Sequence, residues 1–476
     1  MVTIQRDIVE SQTPSSHQTA WRNPMNWPSG VWVLLAGLLI LALPYLIRLV
    51  VLSGVTDLPE PFDIDEFSNW DVPDEENAFT DYAVAAAIKA NLGTIEQPPS
   101  FESVMNDGWS RSDEALLSWM QRHRESLEVW RRGTARQQGR CLSPRDISID
   151  RLLKVVAEQR FFSQLATLEI SRSLEKNELD EAFEWGRAIL RFGGHMTHRG
   201  CLMQELVGVA LHDLAASRIR DWAEHPQVTS VQLTSALAAV RKDDNLYAPP
   251  SSVLKAEYLY VEKVLTSGEW VGFFSPFDAP PSGALASGLK AGAWVIGEPE
   301  LMRRLNRQVI ANLLREIDKP MTKRTKRAGS AQYDLFDLDP AVPLLPGQMT
   351  PQDINQKIRR SIMMMQFGPS TNVDRIFQRR RVRQSALEIL LAVQACHRDR
   401  GQFPGELAEL VPKYLDQIPL DDFDPSGSTM RYRRNEDGSA VVWSAGTDGI
   451  DGNGDVVLKE APPLDIGFVI KQPSEK

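Results

Sequence analysis

Cysteine is scarce in this sequence: Cys141, Cys201 and Cys396 are the only three in 476 residues, far apart and odd in number. That excludes a disulfide-stapled scaffold and reads as three small buried apolar side chains. Positive charge is also short, with 53 Lys and Arg against 63 Asp and Glu and a formal net charge of −10. This balance argues against a general nucleic-acid binder. The common signatures of catalysis are missing as well. There is no G-x-S-x-G, no C-x-x-C, no H-E-x-x-H and no kinase-type cluster. Strict apolar–polar alternation is rare before residue 425, which leaves little room for an extensive sheet.

What is present is a long apolar run. "VWVLLAGLLILALPYLI", Val31 to Ile47, carries no charge, and after Arg48 the run resumes with "LVVLSGV". About twenty helical residues cross a ~30 Å hydrocarbon layer. Trp27 and Trp32 mark one interface and Tyr45 the other, Arg48 snorkels near the far end, and Pro44 is tolerable in such a helix. The reading is a transmembrane anchor over residues 31–53. A cleaved signal peptide is the competing reading, against which stand the thirty residues ahead of the run and the lack of a clear A-x-A site. Arg6 and Arg22 lie upstream, while Asp57, Glu60, Asp63, Asp65 and Glu66 follow. The expected topology places the N-terminus inside and the bulk of the chain outside, with the lipid bilayer as one partner.

The rest of the chain, 42% hydrophobic and 24% charged, is long enough for a sizeable core. Residues 1–30 read as an N-terminal tail and 54–73, rich in Pro and Asp, as an extended stalk. Residues 74–374 read as a helical domain. Leu116, Met120, His123, Leu127 and Trp130 recur at helical spacing, as do Leu152, Val155, Phe162 and Leu165. So do Leu233, Leu237 and Val240, and then Leu254, Tyr258, Val261 and Leu265 after "APPSS". Residues 267–300 and 328–352, rich in Gly, Pro and Ser, read as loop excursions. Between 301 and 383 the charge turns basic, with "LMRRLNR", "KPMTKRTKR", "KIRR" and "RIFQRRRVR". This reads either as solvated helix faces or as a patch for an anionic partner.

Residues 375–460 change character. An amphipathic helix with Leu387, Leu390, Leu391 and Val393 leads to a short helix between prolines, then to strands "TMRYRR" and "SAVVWSAG". Asp437-Gly438 between them is a hairpin signal. The fold expectation is therefore mainly α, with an N-terminal transmembrane helix, a helical body and a small C-terminal α+β domain, residues 461–476 forming a tail.

The order of residues in that C-terminal domain carries a resemblance. Ala386-Leu387-Glu388 is followed by Phe403-Pro404, Leu407, Leu410 and Pro419. Then come Asp421, Phe423, Asp424-Pro425, Tyr432, Ser444-Ala445-Gly446-Thr447-Asp448-Gly449 and Asp455. In this order they resemble the globular domain of the major pseudopilins of type II secretion, over roughly residues 375 to 457. The chain also resembles a wider set of large single-pass bacterial proteins of unknown function, whose helical region opens on an acidic E-N-A segment like Glu76-Asn77-Ala78. A pseudopilin processing site is absent, since Leu35 stands where its glutamate belongs. The likeness is to a module.

The resemblance implies calcium held by Asp448 and Asp455, with Asp451 and Asn453 adding oxygens between them. It also implies a bacterial inner (cytoplasmic) membrane location and a role in assembly with a protein partner not identified by the sequence. An EF-hand is excluded, because its glycine position holds Val456 and its closing glutamate position Pro462. A Gly-Asp turn holding no ion is the plainer alternative.

A second cluster is "GGHMTHRGCLMQELVGVALHD". A helix starting at His198 would set His198, Cys201, Glu205 and His212 on one stripe. With His195, this gives the alternative of a membrane-tethered metal-dependent hydrolase using His195, His198 and Glu205. Ordinary packing beside Leu202, Leu206 and Val209 is the competing account. Gly283 and Gly288 in "GALASGLK" are spaced as in a P-loop, but Lys290 falls one place late, so the segment reads as a small-residue loop.

Overall fold

The structure is a computed structural model describing residues 28–267, 283–295, 297–319, 323, 373–424, 426–456 and 465–473. It forms two compact units, Met1–Thr56 with Val271–Leu301, and Asp57–Trp270 with Met302–Lys476.

In the first unit the apolar run is one helix, α1, Ser29–Ser53. Pro28 precedes it, Gly54 caps it, Pro44 lies within it, and none of its residues is buried. Among the described residues it is the one helix long and apolar enough to cross a membrane. The "GALASGLK" segment, expected as a loop, belongs to a helix: Gly283–Val295, labelled α11 below. Its alanines and leucines favour helix, and its glycines do not break it.

The second unit is mainly helical. In chain order come α2 Ile64–Ser68, α3 Ala78–Asn91, α4 Ser100–Asp107, α5 Glu114–Thr134, α6 Ile149–Glu175 and α7 Leu179–Thr197. They continue with α8 Leu202–Ala223, α9 Ser230–Asp244, α10 Pro250–Ser267, α12 Glu298–Glu316 (its residues from Met302 onward) and α13 Val373–Arg400. Side-chain caps fix several starts. Asn77 accepts from Phe79 N at 3.1 Å, Asp113 from Leu116 N at 2.8 Å, and Thr229 and Gln232 form a reciprocal box. The helical spacings read in the sequence face inward: Leu116, Met120, His123, Leu127 and Trp130 are all buried on α5. The same holds for Leu254, Tyr258, Val261 and Leu265 on α10.

Three expectations need correction. The stretch 54–73 is not a free stalk along its length, since Leu58, Phe67 and Val72 are buried. Arg307 draws it in, donating to Asp57 at 2.8 Å and Glu60 at 2.6 Å, and the Phe62 ring meets Phe67 and Tyr258 edge-on. Secondly, the boundary between a helical domain ending at 374 and a separate C-terminal domain is not a boundary in the core. One buried cluster runs from Ala78 to Ile470 and includes both. The reason is α13, whose Leu387, Ile389, Leu390, Leu391 and Val393 are all fully buried. The middle of α13, residues 386–396, is buried at every position but Glu388, and α13 packs against α8 and α9 as well as against the sheet.

Thirdly, the tail after 460 is structural. Ile466–Ile470 is a strand, β3, beside β1 Arg431–Arg434 and β2 Ala440–Ser444. The sheet is antiparallel in the order β1-β2-β3, with Tyr432 opposite Val442 and Val442 opposite Phe468. The β1–β2 hairpin turns at Gly438, φ 82°, as Asp437-Gly438 predicts. Of the two loop excursions, residues 268–282, 296 and 328–352 lie outside the described residues, as do 320–322 and 324–372 of the basic stretch. Its described arginines are not simply solvated: Arg303 pairs with Glu262, Arg380 with Asp244 and Arg381 with Asp422.

Candidate functional site

The loop that follows β2 turns through Gly446–Asp448 and takes left-handed backbone at Gly449, Asn453 and Gly454, with φ 68°, 60° and 82°. Glycine and asparagine tolerate that region, which explains the local composition. The acidic oxygens are turned to protein donors. Asp448 accepts from Ile450 N at 3.1 Å. Asp451 Oδ1 accepts from Trp443 Nε1 and from Asn453 N, both at 2.9 Å, and its Oδ2 lies 3.2 Å from Arg431 Nε. The Trp443 bond is the main cause holding its pKa below the usual carboxylate value. Asn453 Oδ1 accepts from Arg433 at 2.8 Å, and Asp455 N donates to Gly452 O at 3.4 Å.

Arg431 is the hub of this region. It donates to Asp421 Oδ2 at 2.6 Å, with Asp424 at 3.6 Å and Asp451 at 3.2 Å. Asp421, fully buried, also accepts from Ser444 Oγ at 2.6 Å and Phe423 N at 3.0 Å. One guanidinium thus stands among three carboxylates. The loop is closed from the other side by Asp465, whose carboxylate accepts Gly452 N at 3.1 Å and Gly454 N at 2.8 Å. A Cβ on Gly452 would lie 2.9 Å from Asp465 Oδ2, so a larger residue there would push on that carboxylate. Calcium takes six to eight oxygens. Here Asp451 and Asn453 already accept from Trp443, Arg431 and Arg433, while Asp448 accepts only from a backbone N–H of its own turn. Arg431 and Arg433 escape motif reading, yet strand period two puts both on one face of "RYRR". Asp465 lies beyond the motif and carries no comparable signal.

The histidine cluster is divided. His198 is the cap residue ending α7, Arg199 follows with φ 46°, and α8 starts at Leu202, so no single helix carries the stripe from His198 to His212. His195 is wholly buried. Its Nδ1 is 2.8 Å from Tyr82 Oη and its Nε2 is 3.1 Å from Arg136 O. A carbonyl only accepts, so Nε2–H donates to it and Nδ1 accepts the tyrosine proton. Both nitrogens are occupied, and burial pushes the pKa down to about 3. His198 faces the Trp70 ring at 5.9 Å. Glu205 belongs to a different neighbourhood, near Arg380 and Arg381 of α13. Neither of its buried oxygens has a hydrogen-bond partner, and burial drives its pKa up to about 7. His212 is bonded through Nε2 to Gln384 Oε1 at 3.1 Å. Among the described residues, no group of three or more His, Cys, Asp or Glu is placed to hold a metal ion.

One open cavity of about 460 Å³ is lined by Asn77, Arg140, Cys141, Ser143, Asp146 and Arg151 among others. Burial raises the Cys141 thiol to about 12, which removes it as a nucleophile near neutral pH. Arg140 is already engaged by Trp70 O and Asp71, each at 3.1 Å. Compared with protein-family models, curated proteins and solved structures, the chain matches none.

Proposed function

We propose that this protein is a membrane-anchored, extracytoplasmic structural or interaction protein. α1 holds it in a bacterial inner membrane, and the helical body presents a pseudopilin-like C-terminal face. The observation that carries the reading is a 25-residue apolar helix with no buried residue. In the body, His195 is held neutral between Tyr82 and the Arg136 carbonyl, and one loop carboxylate, Asp451, is met by Arg431. The order of α13, the Leu407–Leu410 turn, the β1–β2 hairpin and the following loop supports the likeness to the pseudopilin module. In this reading the loop is steadied by Arg431, Arg433 and Asp465 and presents its exposed tip, including Ile450, to a protein partner.

Elemental analysis of the purified full chain tests it against the hydrolase alternative. The expected content of zinc, iron or manganese is well below one equivalent. One equivalent of such a metal, lost in His198→Ala, would contradict the proposal.

A further inference from the structure

α11 is apolar and nearly uncovered. Lys290 is the one charged residue between Gly283 and Val295, and Leu289 and Trp294 stand 41% and 42% exposed. A Cβ built on Gly283, Gly288 or Gly292 meets nothing within 4 Å. Among the described residues, its contacts to the rest of its unit gather at the C-terminal end. The Trp294 ring meets Tyr45 edge-on at 5.3 Å, and the Arg48 guanidinium lies 5.1 Å over the same ring. Arg48 Nη1 also donates to Trp294 O at 2.8 Å. At Gly297, φ 73°, a Cβ would lie 3.5 Å from Leu52 Cγ.

These contacts fall on the last turns of α1. Tyrosine, tryptophan and arginine at that level are the residues that mark the edge of a bilayer. α11 has thirteen residues, about 20 Å at 1.5 Å per residue, which is too short to cross ~30 Å of hydrocarbon. Apolar stretches of ~10–14 residues that are not covered by protein suit the interface or a re-entrant position.

We propose that α11 is a second membrane-contacting element. It inserts into the leaflet at the C-terminal end of α1, with lipid acyl chains covering its apolar surface. Lys290 reaches the headgroups, and Trp294 with Tyr45 and Arg48 pins the helix to the interface. The proposal rests on the reading of α1 as a bilayer helix, and the two fail in different ways in the following experiment.

The full chain is reconstituted in phosphatidylcholine vesicles with an environment-sensitive dye on a single introduced cysteine: Leu39→Cys in α1, Ala291→Cys in α11, or Val231→Cys on the body surface. The wild-type chain, with Cys201 and Cys396 buried and Cys141 partly exposed, is labelled in parallel and sets the background. Vesicles carrying nitroxide-labelled acyl chains should quench the dye at 39 and 291 by about half or more, and leave it unchanged at 231. Quenching at 39 but not at 291 overturns the proposal while leaving the anchor intact. No quenching at 39 overturns the anchor reading, and without quenching at 291 the proposal falls with it.

Discussion

Arg431 Nε lies 3.2 Å from Asp451 Oδ2, and the same guanidinium donates to the buried Asp421. A protein cation therefore pairs with one carboxylate of the loop that the sequence alone suggests for calcium. An ion bound only by the folded loop would stabilise it by ~1.4 kcal/mol at about ten times Kd. Calcium added to chelator-treated protein should leave Tm unchanged. A rise of several degrees, abolished in Asp448→Ala, would show that an ion displaces the arginine.

Removing Arg431 should be costly, because Asp421 stays buried without its partner. Arg431→Gln is expected to destabilise by about 3 kcal/mol, in the range seen when one member of a buried pair is deleted. Arg433, which meets the exposed Asn453, should cost well under ~1 kcal/mol when changed to Gln. Chemical denaturation of both variants gives the comparison, and equal losses would refute the hub role of Arg431.

Glu205 makes stability depend on pH. Its folded pKa, about 7, is raised from an ordinary 4.5 by burial, against the pull of Arg380 and Arg381 of α13; Tyr247 also faces it. Between those values the folded state holds more protons than the unfolded state, so this group's contribution falls as pH rises from about 4.5 and levels off above about 7. The shift corresponds to about 3 kcal/mol. Glu205→Gln should flatten that fall. His195 acts in the opposite sense, its pKa depressed to about 3, so its contribution is complete above about 6.5 and fades toward acid. Melting of wild type and Glu205→Gln from pH 5 to 8 decides the matter, and parallel curves would argue against the Glu205 contribution.

α7 and α8 cross at glycines. A Cβ on Gly208 would approach Thr197 Cγ2 to 2.5 Å and Gly193 O to 2.9 Å. Backbone cannot yield as a flexible side chain does, so Gly208→Ala should cost about 1–3 kcal/mol. Gly288→Ala, with open space around it, should be neutral or slightly stabilising. Thermal melts that rank the two the other way would place the tight crossing elsewhere.

Much of the architecture was readable from residue spacing. The apolar stripe of α5 and the Asp437-Gly438 hairpin follow from periods of 3.6 and 2 and from turn chemistry. The long apolar run gave α1 by length alone. What spacing does not carry is which elements share a core. α13 reads as amphipathic, yet it packs against helices and sheet together, a tertiary fact. β3 is five residues long, too short to stand out beside the prolines before it. For the site, donor types were visible but partners were not. His195 and Glu205 lie close together in the sequence, yet one looks to Tyr82 and Arg136 and the other to Arg380. Such pairings join residues far apart in the chain, and local patterns are silent on them.

The most direct measurement of the central claim is the mass and extraction behaviour of the chain from a bacterial membrane fraction. An uncleaved anchor predicts a 53.4 kDa chain that stays in the pellet after alkaline carbonate and leaves it in detergent. A chain shortened past α1 and recovered in the soluble fraction would contradict the account.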